Sequence, residues 1–212
     1  MQQNLILPKN GRKIFIKGPV GLLDCLVIEP NDLNYKAVSL IFHPDPKGGG
    51  NYTNKIVQII AKTFVQKGYL CICPNLRGVG DSEGTHDMGI GEVEDAKAIY
   101  EYYRNEYPNL SFIYAGFSFG TSIASSLSVF YKPKHLFLVG PAISRYNVPI
   151  VDKAMTTIIH GELDEIIDIS LVLDWSRQND VPIIWCPQVG HFFHGKLNII
   201  QEILNKTYIE LE

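Results

Sequence analysis

The chain has 212 residues, of which 46% are hydrophobic and 19% charged, with a formal net charge of -3. That length suits one domain with a sizeable core. Scattered Lys and Arg argue against nucleic acid or an anionic membrane as the main partner, since both select clustered positive charge.

The start, "MQQNLILPKNGRK", lacks an apolar core followed by a small-residue cleavage site, so no signal peptide is expected. No apolar stretch approaches the length of a membrane span. Strands are predicted at 13–18, 22–29, 37–43, 69–74, 111–116, 135–140, 156–161 and 182–187. Several are nearly continuous apolar runs, as in a parallel sheet covered on both faces. Helices are predicted at 54–67, 90–106, 119–131, 166–179 and 196–210. In the last, Leu197, Ile200 and Leu204 recur at helical spacing, with Ile203 and Tyr208 widening the stripe. "GPVG" joins the first two strands and is too short for a crossover, so they should pair antiparallel. From residue 37 strands and helices alternate, which predicts a doubly wound α/β sheet in one domain over 1–212.

Cys25, Cys71, Cys73 and Cys186 all fall in strand-like runs, with Cys71 and Cys73 on one face of theirs. They read as buried small hydrophobes in a reducing cytoplasm rather than as metal ligands. The six histidines show no metal-ligand spacing. "GGGNYTNK" (48–55) lacks the Gly-Lys-Ser/Thr ending of a phosphate loop, and "GVGDSEG" (78–84) lacks the spacing of a dinucleotide loop. Neither metal nor organic cofactor is expected.

"YAGFSFGTSIAS" (114–125) sets Gly116, Ser118 and Gly120 as G-x-S-x-G between a strand and a helix, the context of a nucleophile elbow. The competing reading makes Ser118 an ordinary helix N-cap. A serine nucleophile needs a base, and the base needs an orienting acid. "ELDEIID" after the strand at 156–161 offers Glu162, Asp164, Glu165 and Asp168; "QVGHFFHG" after the last strand offers His191 and His194. All leave strands at the same edge as Ser118.

With "IFHPDPKGGGNYTNKIV" (41–57), "PNLRGVGDSEG" (74–84), "GIGEVEDAKA" (89–98), "GFSFG", "IIHGELDEII" (158–167) and "GHFFHGKL" (190–197), the chain resembles the α/β-hydrolase superfamily. It looks most like a small, nearly lidless branch of serine hydrolases, distantly similar to dienelactone hydrolases and Xaa-Pro dipeptidyl-peptidase-type domains. Asp45 stands where a second His is common in that branch. The resemblance implies a mostly parallel eight-stranded sheet with an antiparallel N-terminal hairpin and helices on both faces. It implies Ser118 as nucleophile, His191 as general base and acid, and Asp164 as orienting acid. Glu162, Glu165 and Asp168 then serve as solvated or helix-capping charges, and His194 as a structural residue. The oxyanion hole would combine the backbone N–H groups of Phe119 and Asp45, since Pro44 has none. His43 would hold that loop, and the loop 78–84, with Arg77 and Asp81 as a structural pair, would lie beside the site. The segment 141–156 is short for a lid, which predicts an open site covered by it and by 45–54, with Tyr52, Tyr146 and Phe192 lining the pocket. The expected function is cytoplasmic cleavage of a small ester or thioester. A peptidase or amide hydrolase, and a catalytically silent binding protein on the same fold, remain as alternatives. The oligomeric state is open, with a homodimer among the options.

Overall fold

In a computed structural model the described residues are 10–150 and 152–211. Residues 1–9, which carry most of the segment read as lacking a signal peptide, lie outside them. Eight strands form one sheet: β1 (Gly11–Lys17), β2 (Leu22–Ile28), β3 (Ala37–Phe42), β4 (Tyr69–Pro74), β5 (Ser111–Phe117), β6 (His135–Val139), β7 (Thr156–Gly161) and β8 (Ile183–Cys186). Their order is β1-β2-β4-β3-β5-β6-β7-β8. β1 and β2 form the expected antiparallel hairpin, β2 also meets β4 antiparallel, and the other pairings are parallel.

The central strands alternate between two apolar layers, as a period of two requires. Val38, Leu40 and Phe42 of β3, with Phe112 and Tyr114 of β5, face one layer. Ala37 and Ile41, with Ile113, Ala115 and Phe117, face the other. Helices α2 (Ile90–Glu106) and α3 (Phe119–Phe130) cover the first layer, with Ile99, Tyr103, Ile123 and Leu127 buried in it. Helices α1 (Lys55–Gln66) and α5 (Leu197–Lys206) cover the second through Ile56, Ile60, Phe64, Ile200 and Leu204. Helix α4 (Ile169–Asn179) buries Val172 against Ala142 and Ile167. All four cysteines are free and buried, and Cys71 and Cys73 share a face.

Two helix boundaries differ from expectation by more than one residue, each for a local reason. α4 starts at Ile169 rather than 166, because Asp164 Oδ1 accepts the amides of Ile166 and Ile167 and Asp168 then caps the helix through Ser170 N–H. α5 ends at Lys206, so Tyr208 lies beyond it and is exposed instead of widening its stripe.

β3 leads through α1 to β4 on one side, while β5 leads through α3 to β6 on the other. The carboxyl ends of β3 and β5 therefore flank the point where the winding reverses, the place where open α/β sheets put their clefts.

Candidate active site

Ser118 follows β5 directly, at φ 52 and ψ -117. Positive φ at a non-glycine residue stores of order 1–3 kcal/mol and persists only where the surroundings enforce it. Here its amide donates to Val139 O of β6 at 2.9 Å, while Thr121 N–H and the Thr121 hydroxyl donate to its carbonyl. The flanking glycines permit the crowding: a Cβ on Gly116 would lie 2.1 Å from Gly120 O, and one on Gly120 2.2 Å from Phe42 O. The Ser118 side chain makes no capping hydrogen bond to α3. The N-cap reading therefore does not account for it.

Asp164 follows β7 and His191 follows β8, and both are buried. His191 Nδ1 lies 2.7 Å from Asp164 Oδ2. A carboxylate accepts and cannot donate, so Nδ1 carries the proton of the neutral ring and Nε2 is left with a free lone pair. Nε2 makes no hydrogen bond among the described residues, and neither does Ser118 Oγ; both residues line one cleft. Such bonds often close only around substrate. Burial works against the charge of Asp164, but the His191 hydrogen bond and the amides of Ile167 and Ile166 outweigh it and hold its pKa below the usual carboxylate range. Glu165 Oε2 accepts His191 N–H at 3.0 Å, Glu162 accepts Gln188 N–H, and Asp168 caps α4. The other three acids thus hold backbone. His194 is exposed in a turn, its ring 5.8 Å from that of Phe192.

The amide of Phe119 opens α3, where no carbonyl one turn earlier is available to it. The Asp45 amide makes no hydrogen bond among the described residues. Its loop is held from below: Leu76 N–H donates to His43 Nε2 at 3.1 Å, so His43 Nδ1 carries the proton and donates to Pro44 O at 2.7 Å. Burial lowers the His43 pKa to about 4, keeping the ring neutral.

The cleft has a volume of about 420 Å³. Its walls come from Pro44, Asp45 and 47–50, from Ala142 and 144–146, and from Ile166, Ile167 and Phe192, around Ser118 and His191. Tyr146 and Phe192 line it. Tyr52 does not: its hydroxyl turns to Asp24 Oδ2 at 3.3 Å, within the α1 layer. Its place in the expected pocket is a correction, and Asn54, two residues on, reaches the cleft instead. Residues 78–84 also contribute nothing to the lining. Glu83 and Ser82 tie that loop to the amides of Leu22 and Asp24 at the start of β2. Arg77 pairs not with Asp81 but with buried Asp95, by two side-chain hydrogen bonds of 2.9 and 2.7 Å, while Asp81 meets Lys13. Both partners of Arg77 and Asp81 lie far off in sequence, where local spacing carries no signal. Lys47 and Arg145 line the cleft and were not anticipated. Among the described residues no cluster of three or more His, Cys, Asp or Glu could hold a metal ion, and no helix is long and apolar enough to cross a membrane.

The model of the family described as serine aminopeptidase, S33, matches residues 34–166. The chain belongs to this α/β serine hydrolase family. The match includes Ser118 and Asp164 and stops before His191. The hydrolase is 30% identical over 215 residues to the uncharacterized protein RP471 of Rickettsia prowazekii, covering 94% of this chain and 90% of that one. It superposes on XC6422 of Xanthomonas campestris, a serine hydrolase without lid, with a TM-score of 0.86 and 32% identity over 95% of each chain. An α/β serine hydrolase homologue from Coxiella burnetii gives a TM-score of 0.83 at 30% identity, covering 92% of this hydrolase and 97% of that chain.

Proposed function

We propose that this hydrolase cleaves small carboxylic esters or thioesters through an acyl-enzyme on Ser118. The observation that carries the reading is the buried His191–Asp164 pair, which leaves an unprotonated Nε2 on the same cleft as a strained, uncapped serine. In the first half-reaction Nε2 takes the Ser118 proton as Oγ attacks the carbonyl carbon. The oxyanion draws on the N–H groups of Phe119 and Asp45, a pairing in which one donor is typically worth about 10²–10³ in turnover. The tetrahedral intermediate collapses, and His191 returns its proton to the departing alcohol or thiol. Water then attacks the acyl-enzyme with His191 again as base, releasing the acid and restoring Ser118. Asp164 keeps the ring in the required tautomer throughout. Tyr146 and Phe192 supply apolar surface for the substrate, which stays small because no large lid among the described residues encloses it.

The family's description names an aminopeptidase, and amide hydrolysis is the second reading. An amine-recognising pocket needs free carboxylate. Asp45 is the one carboxylate among the residues lining the cleft, and it shares that lining with the cations Lys47 and Arg145, which disfavour an ammonium group and so favour the ester reading. Four free buried thiols suit a reducing compartment, and we place the enzyme in the cytoplasm on that ground.

The test is labelling by a fluorophosphonate, followed by a panel of p-nitrophenyl esters, acyl-thioesters and aminoacyl amides. Folded wild type should label and Ser118→Ala should not. A folded wild type that stays unlabelled leaves only the binding-protein alternative, and amides cleaved faster than esters would select the peptidase.

A further inference from the structure

The cleft carries positive charge that the protein does not balance. Of the chain's five arginines, Arg12 pairs with Glu29, Arg77 with Asp95 and Arg177 with Asp174, while Arg104 is held by the carbonyls of Pro108 and Leu110. The fifth, Arg145, is exposed, lines the cleft, and has no side-chain hydrogen bond or ion pair among the described residues. Lys47 lines the cleft from the loop after β3, and among the described residues its ammonium meets only the Met88 thioether, at 3.1 Å, a weak acceptor. Because β3 and β6 flank β5, these cations come from loops on either side of Ser118. Asp45 is the one carboxylate among the lining residues, and its Oδ2 is 3.5 Å from the Tyr146 hydroxyl while Oδ1 takes the Lys47 amide. The α3 N-terminus adds its partial positive charge at the cleft floor.

A guanidinium with an unpaired five-donor fork on the cleft that holds a reacting serine is matched by a planar anion, which it can bind through two parallel hydrogen bonds. Like-signed charge around a concave site also concentrates counter-charged substrate before contact. We propose that the substrate is an ester or thioester carrying a second, anionic group, a carboxylate, held by Arg145 and Lys47 while its acyl carbonyl sits over Ser118. This assignment rests on the ester-hydrolase reading above and narrows it. It also gives the two loops that frame the cleft a shared role, in which the fork orients the far end of the substrate and the amides of Phe119 and Asp45 receive the near end.

The experiment compares 4-nitrophenyl hexanoate with 4-nitrophenyl hydrogen adipate, which share a six-carbon acyl chain and differ in one terminal carboxylate. At low ionic strength the wild type should favour the adipate half-ester by about tenfold in kcat/KM, chiefly through KM. That ratio should fall towards one in the Lys47→Gln/Arg145→Gln double variant and as salt rises, and should invert in Arg145→Glu. Both positions are exposed, and circular dichroism confirms that the variants fold. A wild-type ratio of one or less, or a ratio the double variant does not change, overturns the anion assignment and leaves the esterase reading standing, since the neutral ester is still cleaved. Cleavage of neither ester by folded wild type overturns both.

Discussion

Asp164 bridges two strand ends, with Oδ2 at 2.7 Å from His191 Nδ1 and Oδ1 accepting Ile166 and Ile167 N–H at 2.9 and 2.7 Å. One oxygen fixes the imidazole and the other fixes the loop after β7 that carries Asp164 itself. Asp164→Asn keeps an oxygen for those amides but turns an NH2 group towards Nδ1, which then must accept and leave its proton on Nε2. We expect kcat for ester hydrolysis to fall by about 10³–10⁴ with little change in Tm. Steady-state kinetics beside a melting curve checks this, and activity within tenfold of wild type would contradict the assigned tautomer.

The elbow predicts a packing result. A Cβ on Gly120 would meet the backbone carbonyl of Phe42 at 2.2 Å, and strand backbone in mid-sheet has nowhere to retreat. Gly120→Ala is expected to destabilise the fold by about 3 kcal/mol or more, at the upper end of overpacking costs. Denaturant unfolding measures it. A loss below ~0.5 kcal/mol would contradict the close approach of α3 to β3 at Gly120.

His43 predicts a pH dependence. Its pKa is lowered by burial from 6.5 to about 4, so the unfolded chain takes up a proton at a pH where the folded protein does not. Stability is therefore complete above about pH 6.5, falls as pH drops, and has lost about 3 kcal/mol by pH 4 from this group. His135, also lowered to about 4 by burial, acts in the same window. Unfolding free energies at pH 7, 5.5 and 4.5 should show the decline, and His43→Asn should flatten it. An equal slope in wild type and variant would mean that His43 titrates normally.

Tyr52 provides a contrast with the cleft residues. Tyr52→Phe removes its hydroxyl from Asp24, at a cost of about 1 kcal/mol in stability. Because Tyr52 is outside the cleft lining, kcat/KM should stay within twofold of wild type. A large rise in KM would return it to the substrate pocket.

Much of this was legible in the chain. Strand and helix positions follow from short-range periodicity, and Ser118, Asp164 and His191 each sit in a segment whose glycines and neighbours mark the carboxyl end of a strand. The local rules of strands, turns and caps act over a few residues, so a few residues suffice to read them. What the sequence could not supply concerns direction and distant partners. Tyr52 follows the Asp45 loop closely, yet its ring turns beneath α1 because Asp24, 28 residues earlier, offers a buried acceptor. Arg77 has Asp81 four residues away but spends its guanidinium on Asp95, brought alongside by α2. Lys47 and Arg145 look like ordinary surface charges until β3 and β6 are placed on either side of β5. Composition and periodicity determined the layers and the strand ends at which chemistry gathers. Only the folded arrangement decided which side chains face the cleft and which charges go unpaired, because those depend on through-space distances between segments that chain order does not encode.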